Sequence, residues 1–155
     1  MAAFKSSMRL GIRGSCMKRL LTSLFWVAGF AVFSYGQAVE DSSRRTLGYI
    51  STGGTVEDSS RRTLGYFTSG GAVEDSSRRT LGYIRANGTV EDSSRRTLGY
   101  VTSSGTVEAS SRRTLGYVTS SGTVEDSSRR TKGYARSIKK EWAAGFFFFF
   151  FKPKE

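Results

Sequence analysis

Polar and apolar positions recur along this chain with a period of 17 residues from Val39 onward. Each copy begins Val-Glu-Asp-Ser-Ser-Arg-Arg-Thr-Leu-Gly-Tyr, except that Ala109 replaces Asp in the fifth copy and Lys132 replaces Leu in the sixth. A short fixed period of this kind indicates an array of equivalent structural units. The six copies start at Val39, Val56, Val73, Val90, Val107 and Val124.

Each unit is predicted to supply two short antiparallel strands. Arg-Thr-Leu-Gly-Tyr followed by Ile, Phe or Val is rich in β-branched and aromatic residues, which is typical of a strand. The Gly-rich clusters predict hairpin turns, most clearly at Asn87-Gly88, where both residues accept a positive φ. Asp-Ser-Ser-Arg predicts a second turn, because Asp and Ser side chains bond to nearby backbone groups. Five complete hairpins result, over 48–58, 65–75, 82–92, 99–109 and 116–126, with a half unit at each end.

Period-two alternation in the first such strand places Leu47 and Tyr49 on one face, and Gly48 and Ile50 on the other. Both faces are partly apolar, which favours a closed or stacked assembly over an open sheet with one wet side. The fold predicted is therefore all-β: a radial, pseudo five- or six-fold array of antiparallel β-hairpins whose two half units meet. A β-solenoid is the alternative. The tyrosines are predicted to be core residues, and a sugar-binding groove is the alternative role for them.

The C-terminal segment, residues 137–155, differs in kind from the repeats. Its first part, 137–144, has a composition compatible with a short helix that Gly145 can end. Six consecutive phenylalanines follow at 146–151, a run too short to cross a bilayer as a helix. Because an exposed run would aggregate, we predict that it is buried as a closing strand or plug. The alternative is contact with a membrane surface or partner, helped by Lys139, Lys140, Lys152 and Lys154.

Residues 1–37 are predicted to be a signal peptide region, with Met17 as an alternative start. The basic residues 18 and 19 precede an apolar run over 20–33, which has the length of a signal-peptide core. Cleavage after Gly36 and cleavage after Ala38 both fit, and an uncleaved membrane anchor is the alternative. The 17-residue repeats then occupy 38–136. We expect an exported protein of the periplasm, the outer membrane surface or the extracellular space.

The formal net charge of +11 overstates how basic the repeats are. Residues 1–37 carry five of the 24 basic residues and no acidic one, which leaves 19 basic against 13 acidic residues and a charge near +6 beyond them. This excess is interleaved with acidic residues. It argues only weakly for a polyanionic partner.

The residue inventory argues against catalysis. The chain has no His, and its one cysteine, Cys16, lies in the predicted signal region, so nucleophile–base pairs and His or Cys metal sites are absent from the repeats. The acidic pairs, such as Glu40-Asp41, point to opposite faces of a strand and cannot easily share Ca²⁺. We expect the Asp to cap its turn and the Glu to pair with Arg. No catalytic site, metal or cofactor is predicted, and an enzyme using the repeated carboxylates is the least favoured hypothesis.

Six Arg-Arg pairs are the candidate anion-binding residues. On a ring, twelve guanidinium groups can hold phosphate, sulfate or carboxylate groups, as in anionic glycans or lipid head groups. The preferred interpretation is a solvated face of ion pairs that provide solubility and register. Nucleic acid is not expected, because no aromatic residues are interleaved beside the pairs to stack bases. The pairs are Arg44 and Arg45, Arg61 and Arg62, Arg78 and Arg79, Arg95 and Arg96, Arg112 and Arg113, and Arg129 and Arg130.

The repeated Gly-Thr-Val-Glu-Asp-Ser-Ser-Arg-Arg-Thr-Leu-Gly-Tyr-Val, with an apolar tail behind it, resembles the small bacterial five-fold beta-flower proteins. The resemblance spans roughly residues 38–151 and implies radially arranged hairpins in an exported protein, without an established activity. Two features depart from expectation: Arg44 stands where many such turns have glycine, and Lys132 replaces a core-type Leu, indicating an end unit exposed to water. The leading hypothesis is an exported, non-catalytic structural or binding module of the cell envelope, with an envelope protein or anionic glycan or lipid as partner.

Overall fold

A computed structural model describes residues 36–152 of the chain. The predicted signal region lies outside the described residues except for Gly36 and Gln37, as do the last three residues. Twelve strands occur in the described part, followed by two short helical segments. The strands are β1 Gln37–Asp41, β2 Thr46–Ile50, β3 Thr55–Asp58, β4 Thr63–Phe67, β5 Ala72–Asp75, β6 Thr80–Ile84, β7 Thr89–Asp92, β8 Thr97–Val101, β9 Thr106–Ala109, β10 Thr114–Val118, β11 Thr123–Asp126 and β12 Thr131–Tyr134.

The twelve strands form one closed antiparallel sheet in which each strand pairs with its neighbours in sequence. The ring closes where β1 meets β12, with Glu40 opposite Tyr134 and Asp41 opposite Gly133. The same register joins covalent neighbours, for example Tyr49 opposite Glu57. The half units at the two ends therefore complete a sixth hairpin, as predicted. The radial all-β array is confirmed with six units around the ring, and the solenoid alternative is wrong because closure leaves no stack of coils.

Both turns of a unit have the same backbone design. In the Asp-Ser-Ser-Arg-Arg turn, the N–H of Arg44 donates to the carbonyl of Asp41, and Arg44 has a φ of 66°. In the Gly turn, the N–H of Gly88 donates to the carbonyl of Arg85, and Gly88 has a φ of 83°. Each is a three-residue loop with one left-handed residue. The prediction that Asn87 also takes a positive φ is therefore wrong, because this loop requires only one such residue.

The core lines the inner wall of the ring. The first valine of every unit is fully buried. The residue that follows each tyrosine forms a second buried layer, from Ile50 and Phe67 to Ala135. Gly48 and its equivalents are buried on the same face, as the alternation predicted. The tyrosines are only half-buried and lie outside this core, so their prediction as core residues is wrong.

The leucine of each unit is not a fully buried core residue either, although Leu47 and Leu115 are partly buried and pack against the core. Val39 pairs with Gly48 and Glu40 with Thr46, so Leu47 is the extra residue of a β-bulge, and the same irregularity recurs in every unit. The bulge removes this side chain from the regular inward and outward alternation. Leu64 and Leu98 are accordingly 37% exposed. Lys132 occupies the same position in β12, which pairs with both β11 and β1, so the prediction of an exposed end unit is wrong.

The C-terminal segment enters the ring as a plug. Helix α1, Lys140–Ala144, lies against the Gly turns, where the Lys140 amino group donates to the carbonyl of Ser103 and Trp142 stacks on Phe67 at 5.5 Å. A π-helix, Gly145–Phe149, continues it directly. The α-helix ends at Ala144 with Gly145 as its C-cap, as predicted, but the φ of −58° and ψ of −41° of Gly145 are helical, so the chain continues as the π-helix. Of the two predicted forms of the Phe run, the structure has the plug.

The plug, residues 146–151, aligns one phenylalanine with each of five inner-wall glycines. A Cβ added to any of these glycines would lie 2.7–2.9 Å from a Phe ring edge, so only glycine leaves room for the ring. From Phe147 to Phe151, each successive phenylalanine faces the glycine of the preceding unit in the sequence, from Gly133 back to Gly65. The pairs are Gly133 with Phe147, Gly116 with Phe148, Gly99 with Phe149, Gly82 with Phe150 and Gly65 with Phe151.

Candidate functional site

The Asp-Ser-Ser-Arg-Arg turns position the candidate arginines at one end of the ring. In the first unit, Oδ1 of Asp41 accepts the backbone N–H groups of Ser43 and Arg45 at 2.8 and 2.9 Å. Oδ2 of the same carboxylate accepts Nε–H of Arg45 at 2.8 Å. The Asp therefore caps its own turn, as predicted, and orients the second arginine of the pair.

These contacts also lower the pKa of the capping Asp residues. The backbone N–H of Arg45 is the main cause that lowers the pKa of Asp41 below its usual value, and the Arg45 guanidinium and the N–H of Ser43 lower it further. The same pattern lowers the pKa of Asp58, Asp75, Asp92 and Asp126. Five carboxylates thus stay charged to a lower pH than an Asp without these hydrogen bonds.

The first arginine of each pair packs on the neighbouring unit. Cζ of Arg61 lies 3.3 Å from the ring centroid of Tyr49, and Nη1 of Arg61 lies 3.2 Å from Oε2 of Glu57. Since Tyr49 is opposite Glu57 across β2 and β3, one arginine joins two strands through a cation–π contact and an ion pair. The ring closure repeats this arrangement, with Arg44 over Tyr134 at 3.7 Å. The remaining stacks are Arg78 on Tyr66, Arg95 on Tyr83, Arg112 on Tyr100 and Arg129 on Tyr117.

The second arginine of each pair is far more exposed. The side chains of Arg45, Arg62 and Arg79 are each 82% exposed, although Nε of each bonds to the capping Asp. Arg96 and Arg130 repeat this arrangement. Arg113 differs because Ala109 stands where the other units have Asp, and within residues 36–152 it has no ion-pair partner. Six cationic side chains therefore extend into solvent from one end of the ring.

The structure thus divides the twelve candidate arginines into two sets. Six stack on tyrosines and pair with glutamates, and six project from the turns. Sequence reasoning missed this division, and it also missed the aromatic residues beside the arginines, because each Tyr belongs to the preceding unit and approaches only across the sheet. The signal that could have revealed it is Arg44 itself, a bulky residue at a position that favours glycine. Arg44 and its five equivalents all have φ of 64–66°.

Other kinds of site find little support in the described part of the chain. Between residues 36 and 152, no group of three or more His, Cys, Asp or Glu residues is placed to hold a metal ion. Over the same residues, no helix is long and apolar enough to cross a membrane. The glutamates of the repeats instead contact the first arginine of their own unit, and Glu91 also pairs with Arg85 of the preceding unit at 2.9 Å.

Fold and surface together define a class: a repeat protein whose β-hairpins close into a ring around an aromatic plug. A family model described as 5-fold beta-flower protein matches residues 36–151. The chain therefore belongs to the beta-flower family, with six units in its ring. Searches of the curated proteins and of the solved structures gave no match.

Proposed function

We propose that this protein is an exported, non-catalytic module of the cell envelope that acts by binding through its outer surface. The observation that carries this proposal is the sixfold repetition of one exposed arrangement around the ring. A reaction needs unlike groups in unlike environments, whereas repetition of one group on a rigid ring favours binding to a partner that is itself repetitive.

The sequence that precedes β1 supports export, and the position of β1 favours one of the two cleavage sites. The basic pair at 18 and 19, the apolar run over 20–33 and the small residues after it form a signal-peptide pattern. Cleavage after Gly36 would leave β1 whole, whereas cleavage after Ala38 would remove two residues that pair with Ile50 and Tyr49. We therefore expect the mature chain to start at Gln37.

Cell fractionation followed by N-terminal sequencing tests this part of the proposal. The expected result is a chain that starts at Gln37, recovered outside the cytoplasm. A chain that retains residues 1–35 and stays in the cytoplasm would overturn it.

A second candidate function is binding of anionic glycans or lipid head groups. The observation that favours it is the exposure of the second arginine in each pair, since such side chains can contact phosphate, sulfate or carboxylate groups without breaking the ring. The first arginines are less suited, because their guanidinium faces already cover tyrosines. This narrows the twelve candidates to Arg45, Arg62, Arg79, Arg96, Arg113 and Arg130.

The test is a pull-down of the protein on immobilised anionic glycans and on anionic lipids. One variant changes these six arginines to Gln, and a control variant changes four cations on the helix side to Gln: Arg85, Arg136, Lys139 and Lys140. Retention that falls with added salt and is lost only in the six-arginine variant supports anion binding. Equal retention of both variants overturns it. An absence of retention for the unmodified protein would also exclude anion binding and leave an architectural role.

A further inference from the structure

The six units of the ring differ most at the seam where the sixth meets the first. Five inner-wall glycines each face a phenylalanine of the plug, ending with Phe151 at Gly65. The next position in that progression is Lys152, and the next glycine is Gly48. The atoms nearest to a Cβ built on Gly48 all belong to the backbone of Glu57 and Asp58, and none belongs to a phenylalanine. The plug therefore ends one residue short of completing its circuit.

A cavity of about 710 Å³ opens at this seam. Its volume lies within the range of small-molecule sites, about 300–1,000 Å³. Leu47 and Phe147 line part of it, so it offers apolar surface as well as polar groups. The other five glycine positions are filled by phenylalanine rings, which shows that the inner wall at this level accepts flat or narrow apolar groups.

The same cavity gathers positive charge. Arg45, Arg130, Lys132 and Lys152 all line it. Lys132 is the only departure from Leu at its position among the six units. This one added cation belongs to the unit next to the one that contains Gly48, and it lines the same cavity as Lys152. Two carboxylates, Asp41 and Asp126, also line the cavity, and each already accepts a hydrogen bond from the arginine of its own turn. The cations outnumber the acids by two.

We infer that this seam cleft binds an amphiphilic anion: a phosphate, sulfate or carboxylate group joined to a short apolar chain. The anion would lie among the lysine and arginine side chains, and the apolar chain would cover Leu47 and Phe147. This inference rests on the proposed anion binding and gives it one location and one ligand class. It places a single site on the ring rather than six.

Calorimetric titration of the protein, in the form recovered from expressing cells, with octyl phosphate below its micellar concentration tests the inference. We expect one site per chain, with inorganic phosphate and octanol each binding at least about tenfold more weakly, because each supplies only half of the contacts. Vesicles containing an anionic lipid form a separate arm. Binding of octyl phosphate without binding of vesicles identifies a soluble amphiphile as the source, and binding of both identifies a membrane lipid.

Two variants make the test specific. Lys132→Leu restores the residue of the other five units, so it is expected to fold and yet to weaken octyl phosphate binding at least about tenfold. Leu98→Lys adds the same cation in a unit whose own glycine, Gly99, and whose next glycine in the ring, Gly116, both face phenylalanines, and it is expected to create no second site. Unchanged binding by Lys132→Leu, equal affinity for inorganic phosphate, or six sites per chain would each overturn the inference. Lys132→Leu leaves all six arginines of the pull-down variant in place, so loss of octyl phosphate binding in Lys132→Leu with unchanged retention on anionic glycans separates the seam cleft from the wider arginine surface.

Discussion

The two ends of the ring are built on the same three-residue turn but use different residues at its left-handed position. At the helix side this residue is glycine, with φ between 79° and 89°, and at the other end it is arginine, with φ of 64–66°. The surroundings explain the difference. A Cβ on Gly88 would collide with the carbonyl oxygen of Val101, whereas Arg61 has room to extend over Tyr49. A left-handed backbone thus tolerates a large side chain where the side chain gains contacts that offset the strain.

The largest effect is expected at the helix side of the ring. Gly88→Ala adds a strained left-handed residue and a collision with backbone, and it should lower the free energy of unfolding by about 3 kcal/mol or more. Asn87→Ala is the control, because it loses only the hydrogen bond to the N–H of Thr89 and should cost less than about 1 kcal/mol. Urea unfolding measures both. Equal effects of the two variants would show that the close approach at Gly88 is unimportant.

A smaller effect is expected at the arginine end. Arg61→Ala keeps the strained φ and loses the stack on Tyr49 and the ion pair with Glu57, which should cost about 1–2 kcal/mol. Arg61→Gly loses the same contacts but relieves the strain, so its cost should be about 1 kcal/mol smaller. The comparison uses the same unfolding experiment. If the glycine variant were as unstable as the alanine variant, left-handed strain would not be what the arginine contacts offset.

The smallest effect concerns the capping Asp residues. Their folded-state pKa values lie below the usual one, so the stability they contribute is present at neutral pH and is lost as the pH falls through the lowered values. Ala109→Asp should add a sixth cap beside Arg113 and raise the unfolding midpoint slightly at pH 7. At a pH low enough to protonate the carboxylates, the variant and the parent protein should unfold alike. If the variant still had the higher unfolding midpoint at that low pH, the charge and hydrogen bonds of the new carboxylate would not be the cause of its stability.

The local structure could be predicted from the sequence because each signal is short-range. The strands, the two turns and the role of Asp41 as a cap all follow from residues within one 17-residue unit. The contacts that could not be predicted join units that are one repeat apart or lie across the seam. Arg61 on Tyr49 is an example, since stacking depends on the register between strands.

Repetition by itself determined that this protein would be a β-hairpin array, because six equal units each carry their own strands and turns. Only the tertiary structure decided that six units close into one ring, that a bulge takes Leu47 out of the regular inward and outward alternation, and that the Phe run forms a plug that begins as a π-helix. The physical reason is that closure and plugging depend on the summed curvature and interior space of all the units. No single repeat contains that information.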